Sequence, residues 1–157
     1  MRRGAVSEFQ RWQFRNGRPN WSARVLSRLL GIAFAAGIGP NQAATLEIRG
    51  RKTGRMISFP IVIVDYEGDR YLVAMLGDKT NWVRNLRADN HAVLQRGTRE
   101  KVSLVQDFSG NRAAILRRYL EISPGARPFF PINRRAPLGD FERIVDEYPV
   151  FRLAPAV

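Results

Sequence analysis

After residue 42 the chain is cut by glycine-centred turns so often that the apolar runs between them are only a handful of residues long. Runs that short, rich in β-branched residues and bounded by Gly, Asp and Asn, are strands joined as hairpins rather than helices. Ala43 to Arg49 alternates, and Ile57 to Asp65 is apolar on both faces, as in a strand buried on two sides. Glu67-Gly68-Asp69 turns the chain, and Arg70 to Leu76 returns. Ala92 to Gln95 and Lys101 to Val105 are joined through Gly97, and Pro149 to Leu153 supplies a last strand. The acidic trio Asp65, Glu67 and Asp69 is explained by turn chemistry without a metal.

Helices flank these strands. Trp21, Val25, Leu29 and Ile32 recur at helical spacing in a basic segment from Asn20 to Gly37. Thr80 to Ala88 reads as a short helix, and Ser109 caps another reaching Glu121. Pro124 to Pro137 reads as an ordered loop over the barrel, and Phe141, Ile144, Val145 and Tyr148 mark a final helix. The expected fold is mainly β with flanking helices (α+β), a split β-barrel of about six antiparallel strands. Residues 1–157 form one domain in this reading, with a basic arm and helix at 1–40 and the barrel at 41–157.

The segment Leu46 to Pro60 carries the strongest functional signal. Gly50 and Gly54 bracket Arg51, Lys52 and Thr53, and Arg49 and Arg55 crowd the same bend. Like charges this close repel, so a turn that only reversed the chain would not carry four of them. Glycine's access to positive φ lets consecutive N–H groups converge on an anion that the cations neutralise. The formal net charge of +12 agrees with anionic partners: phosphorylated cofactors, nucleic acid or an acidic membrane surface.

Other chemistries are poorly supplied. The chain has no cysteine and a single histidine, His91, so disulfides, thiolate catalysis and the usual zinc sites are excluded. A Ser-His-Asp triad would need His91, which reads as a strand-surface residue, and no nucleophile elbow is present. No dinucleotide or Walker fingerprint occurs. The longest apolar run, Leu29 to Ile38, is too short for a bilayer, which needs about 20 residues. The expected location is cytoplasmic, with the basic helix either packed on the barrel or lying on an anionic membrane.

Three stretches in this order, Gly50-Arg-Lys-Thr-Gly54 before a strand with Pro60, Val73-Ala-Met-Leu-Gly77, and Trp82-Val-Arg-Asn-Leu86, resemble the deazaflavin-dependent nitroreductase family. That family has a split barrel related to flavin reductases and pyridoxamine-phosphate oxidases. The resemblance implies the deazaflavin coenzyme F-420, a hydride carrier with a phosphate and a polyglutamate tail. It places Lys52, Thr53 and Gly54 on the phosphate, with Arg51 and Arg55 attracting the polyanionic tail. It places Pro60, the backbone of Met75, Leu76 and Gly77, and Trp82 and Asn85 along the ring. Plainer roles exist for several: Trp82 as core, Asn85 as helix surface, Pro60 as the mark of an edge strand.

The sequence departs from the family's pattern at two places. Ile57 stands where many members carry a second basic residue, and Val83-Arg84 replaces their Tyr-His. Arg84 is a candidate for a substrate carboxylate or nitro group or for a cofactor phosphate, and Tyr119 and Tyr148 are substrate candidates by residue type only. No side chain is assigned as a catalyst and no metal is expected. The reading is an oxidoreductase passing a hydride from reduced deazaflavin to a small electron-poor acceptor such as a quinone, nitro compound or activated alkene. A barrel binding flavin mononucleotide or haem is the alternative, with His91 the one axial ligand on offer. A nucleic-acid module ranks below both, because no RNA- or DNA-binding signature is present. Oligomeric state is open, a dimer included.

Overall fold

The computed structural model describes residues 42–156. The basic arm, the helix expected from Asn20, and its membrane contact lie outside the described residues. Seven strands are present: β1 (Ala43–Arg49), β2 (Met56–Val62), β3 (Val64–Tyr66), β4 (Asp69–Val73), β5 (His91–Arg96), β6 (Thr98–Asp107) and β7 (Val150–Pro155). Helix α1 (Asn81–Ala88) joins β4 to β5; α2 (Arg112–Ile122) and the short α3 (Leu138–Glu142) lie between β6 and β7.

All pairings are antiparallel, and the strand order is β2-β1-β5-β6-β7-β4-β3. This order forces closure. β2 and β3 occupy the two outer edges, yet only Ile63 separates them in the chain. In a flat sheet those edges would stand roughly 29 Å apart at ordinary strand spacing, whereas two peptide units reach only about 7 Å. The sheet therefore curls until its edges meet, which gives the split barrel expected from the sequence.

The curl creates an inside and an outside. Ala44, Leu46 and Ile48 of β1, Leu72 of β4, Ala92 and Leu94 of β5, Val102 and Leu104 of β6, and Phe151 and Leu153 of β7 fill the interior at every second position. Val83 and Leu86 of α1 complete this core. The opposite faces of β4 and β7, through Tyr71, Val73 and Val150, join Ile115, Leu116, Tyr119 and Leu120 of α2 and Phe141 of α3 in a second core outside the barrel.

Three local expectations need correction. Ile57 to Asp65 is two strands that meet at Ile63, so the expected count of about six strands becomes seven among the described residues. Nor is the β2 part buried on both faces: Met56 is 53% and Ile57 42% exposed, because β2 is an edge. The final helix is broken into α3 and a separate 3-10 turn at Val145–Glu147, after which Tyr148 leaves the helical region (φ −126°, ψ 89°) ahead of Pro149. The Glu67-Gly68 turn is as read, with positive φ at both residues, the geometry a two-residue hairpin prefers.

Candidate functional site

The basic turn is the connection between β1 and β2, whose ladder ends at the Arg49–Met56 pair. The Gly50 N–H donates to the Arg55 carbonyl (2.8 Å), and the Gly54 N–H donates to the Gly50 carbonyl (2.8 Å). Gly54 takes a φ of +72° to make this closure. Gly50 is buried, and a Cβ there would lie 3.1 Å from Ile57 Cδ1 and 3.3 Å from Thr53 Oγ1. The Arg55 N–H donates to Thr53 Oγ1 (3.3 Å). Among the described residues, no acceptor takes the main-chain N–H of Lys52 or Thr53, which are adjacent and exposed.

The four cations of the bend divide into two pairs. Arg49 Nε lies 3.8 Å from Asp89 Oδ2, and Arg51 is drawn to Asn85. Lys52 and Arg55 have no acidic partner among the described residues and are exposed. Two cations and two N–H groups without partners among the described residues form a cradle suited to a phosphate or another polyanion.

Helix α1 lies against β1 beside this turn. Asn85, only 4% exposed, accepts the Arg51 main-chain N–H (3.1 Å) and Arg51 Nη1 (2.8 Å) at its Oδ1. Trp82, three residues earlier and on the same side of the helix, is half-buried between Phe59 and Phe151, each with ring centroids at 5.7 Å. Pro60 is the neighbour of Phe59 on β2, opposite Thr45. Met75, Leu76 and Gly77 form the turn from β4 into α1, where Gly77 has a φ of +86° and its carbonyl accepts the Thr80 hydroxyl (2.6 Å). Thr80 thus uses its hydroxyl on the turn and leaves the start of α1 without a side-chain cap. Arg84 is exposed on α1, where its charge adds to those of Arg87 and Lys79 in holding the Asp78 carboxyl below its usual range.

The structure therefore gathers the turn and Asn85 where β1, β2 and α1 meet, with Trp82 on the same side of α1 against Phe59, whereas Pro60, the next residue of β2, points to the opposite face of the sheet. It places the two tyrosines elsewhere. Tyr119 is buried in the second core, where burial pushes its hydroxyl up to about 12. Tyr148 stacks on Phe130 with centroids 4.1 Å apart and donates its hydroxyl to the Phe129 carbonyl (3.2 Å). Burial and the Glu147 charge raise its pKa as well.

His91 is exposed, with Nδ1 2.7 Å from Asp89 Oδ1. Hydrogen bonds from the His91 main chain and ring hold the Asp89 carboxyl below its usual range. Sequence reasoning passed over Asp89, and its place between Arg49 and His91 depends on strand register that spacing does not reveal.

The far end of the barrel holds a cavity of about 220 Å³ floored by Ile63 and Leu94 and rimmed by Arg70, Glu100 and Arg96. None of the residues expected to bind the cofactor lines it. Among the described residues no helix is long and apolar enough to cross a membrane.

Comparison with known proteins gives a consistent picture. A solved structure described as an F420-H2 dependent reductase (FDR-A) is 16% identical, with 74% of this chain and 96% of that one covered, at a TM-score of 0.51. One described as a domain-swapped dimer is 15% identical over 86% of this chain and 98% of that one (TM-score 0.53). A protein of unknown function from Agrobacterium tumefaciens is 14% identical over 87% of this chain and 55% of that one (TM-score 0.54). At such identities these likenesses concern the fold. No curated protein matches the chain. The model of the F420H2-dependent quinone reductase family matches residues 31–125. The chain belongs to that family, an F420H2-dependent reductase on a split barrel.

Proposed function

We propose that the turn Gly50–Arg55 holds the phosphate of the deazaflavin cofactor while α1 and β2 flank its ring, for reduction of a quinone-like acceptor. The observation that carries this reading is the pairing pattern of the bend. Arg49 and Arg51 are engaged by Asp89 and Asn85, whereas Lys52 and Arg55 are left exposed beside the free N–H groups of Lys52 and Thr53. Lys52 and these two N–H groups would hold the phosphate. Gly54 supplies the positive φ that shapes the cradle, and its own N–H closes the turn. Arg55 adds attraction for a polyanionic tail.

The ring would lie against the Met75–Gly77 backbone and the exposed part of Trp82. Reduced deazaflavin, when bound, supplies the hydride. The chain's own residues orient the two planar partners and exclude water, which favours transfer by fixing their approach. Arg84, exposed on α1, would attract an electron-rich oxygen of the acceptor. Tyr119 and Tyr148 are engaged in the second core, and we give them no substrate role. We also propose that the chain forms a dimer, as the solved structure described as a domain-swapped dimer does, with light scattering as the check.

Fluorescence titration with deazaflavin and, separately, flavin mononucleotide at fixed ionic strength tests the cofactor assignment. Deazaflavin should bind far more tightly, and binding of flavin alone, or of neither, rejects it. Replacing Lys52 with Ala should weaken deazaflavin binding by about 1–3 kcal/mol, the value of a charge-assisted contact. An unchanged affinity removes Lys52 from the phosphate site.

A further inference from the structure

We infer that Asn85 is a positioning residue that shapes the basic turn by clamping Arg51, and that it strengthens phosphate binding without touching the phosphate. This rests on the reading that the turn holds the cofactor's phosphate.

Both groups that Asn85 meets are donors on one residue, the Arg51 main-chain N–H and its guanidinium. A carboxamide has one oxygen, so the orientation of the amide is fixed, with Oδ1 on Arg51 and Nδ2 turned away. The clamp reaches from the middle of α1 to a loop 34 residues earlier in the chain. It has two effects at once. It takes the Arg51 cation and N–H out of competition, so the next two N–H groups, those of Lys52 and Thr53, are left for a ligand. It also fastens the turn to the body of the protein. The Gly50–Arg55 and Gly54–Gly50 hydrogen bonds close the turn on itself, but they do not tie it to anything else. The hairpin's second strand, β2, is a sheet edge, so it offers little restraint on that side. A turn held in its binding shape loses less freedom when a ligand arrives.

The competing arrangement is a direct contact from Asn85 Nδ2, whose hydrogens have no acceptor among the described residues. Aspartate separates the two. Its carboxylate still accepts both Arg51 bonds and is neutralised by the Arg51 guanidinium it holds, but it has no N–H to offer a ligand.

The experiment is fluorescence titration of Asn85→Ala, Asn85→Asp, Lys52→Ala and the Lys52→Ala/Asn85→Ala double variant. Each is titrated with the deazaflavin coenzyme and with phosphate-free deazariboflavin. Positioning predicts that Asn85→Ala weakens the coenzyme about tenfold, the loss of one such hydrogen-bonded anchor, and leaves deazariboflavin unchanged. Asn85→Asp stays within about threefold of the parent, and the double variant is no weaker than Lys52→Ala alone. Should Asn85→Ala fail to fold, Arg51→Met takes its place. It removes half of the clamp, and a loss of about threefold on the coenzyme alone supports the inference.

An Asn85→Asp loss as large as that of Asn85→Ala overturns it in favour of direct contact. Equal losses on both ligands, or no loss with Asn85→Ala, overturn it as well. A Lys52→Ala variant with full coenzyme affinity rejects the phosphate reading itself, and that failure is recognised by the variant in which it occurs.

Discussion

Three glycines near the site look alike in the sequence and differ in what they do. Gly50 is crowded by Ile57 and Thr53, whereas Gly54 has a φ of +72° and open space where a Cβ would stand. Gly54→Ala therefore meets only backbone strain, about 1 kcal/mol. Gly77 combines a φ of +86° with the Glu147 carbonyl 3.2 Å from where a Cβ would stand. Gly77→Ala should cost more, about 2–3 kcal/mol, since strain and crowding add. Urea unfolding of the two variants checks this order. Deazaflavin titration should give the reverse order for affinity, because Gly54 shapes the cradle and Gly77 the turn into α1. Equal stability losses would mean that the segment around Glu147 yields to the added methyl.

The same scale shows what residue spacing conveys and what it omits. Four cations at one bend were legible in the sequence, but which two lack an acidic partner among the described residues was not. Arg49 finds Asp89 and Arg51 finds Asn85 across the fold, and neither partner is near in sequence. The i, i+3 spacing of Trp82 and Asn85 likewise revealed a shared helix side without revealing that one packs on rings and the other holds a loop.

At the scale of elements, α1 is fixed to the barrel by Trp82 from the side and by Val83 and Leu86 from below. Trp82→Ala should cost about 2–3 kcal/mol, less than a fully buried tryptophan because the ring is only half-buried. Trp82→Phe keeps much of the contact and should cost about 1 kcal/mol or less. Denaturant unfolding measures both. With Trp82→Phe still folded, the absorption of bound deazaflavin should shift if the indole borders the ring, and an identical spectrum places it away.

Strand existence was readable because hairpin turns announce themselves, as at Glu67-Gly68. Strand division was not. The run Ile61-Val-Ile-Val64 contains no turn residue, and its break at Ile63 is imposed by barrel closure. There the Ile63 N–H donates to the Gln42 carbonyl (2.7 Å) and its side chain enters the first core. The broken last helix has the same kind of cause. Its apolar spacing suits a helix, but Pro149 keeps Tyr148 out of the helical region, and the tyrosine ring is stacked on Phe130.

The whole molecule is a barrel with two unlike ends. One carries α1 and the basic turn, and the other is polar inside. On β4, Arg70 continues the inward row of Leu72; on β6, Glu100 continues the inward row of Val102 and Leu104. The two meet in a bidentate pair at 3.0 and 2.7 Å, so the barrel's far mouth is tied between strands that β7 separates in the sheet. The hydrogen bonds from Arg70 hold the Glu100 carboxyl below its usual 4.5. A carboxyl whose pKa falls on folding stabilises the fold above its unfolded value, and that contribution disappears as pH drops through the lowered folded value. Both side chains remain more than a third exposed, so solvent screening limits the pair to about 1 kcal/mol or less. Glu100→Gln should therefore lower the melting temperature by about 2–4 °C at most at neutral pH. The gap between parent and variant should close progressively as the pH is taken below 4.5, where the parent's own carboxyl becomes neutral. A gap that persists unchanged into acid would show that the pair acts through packing at the far mouth and not through its charge. Deazaflavin affinity at neutral pH should be the same in both proteins, because the bridge and the basic turn stand at opposite ends of the barrel.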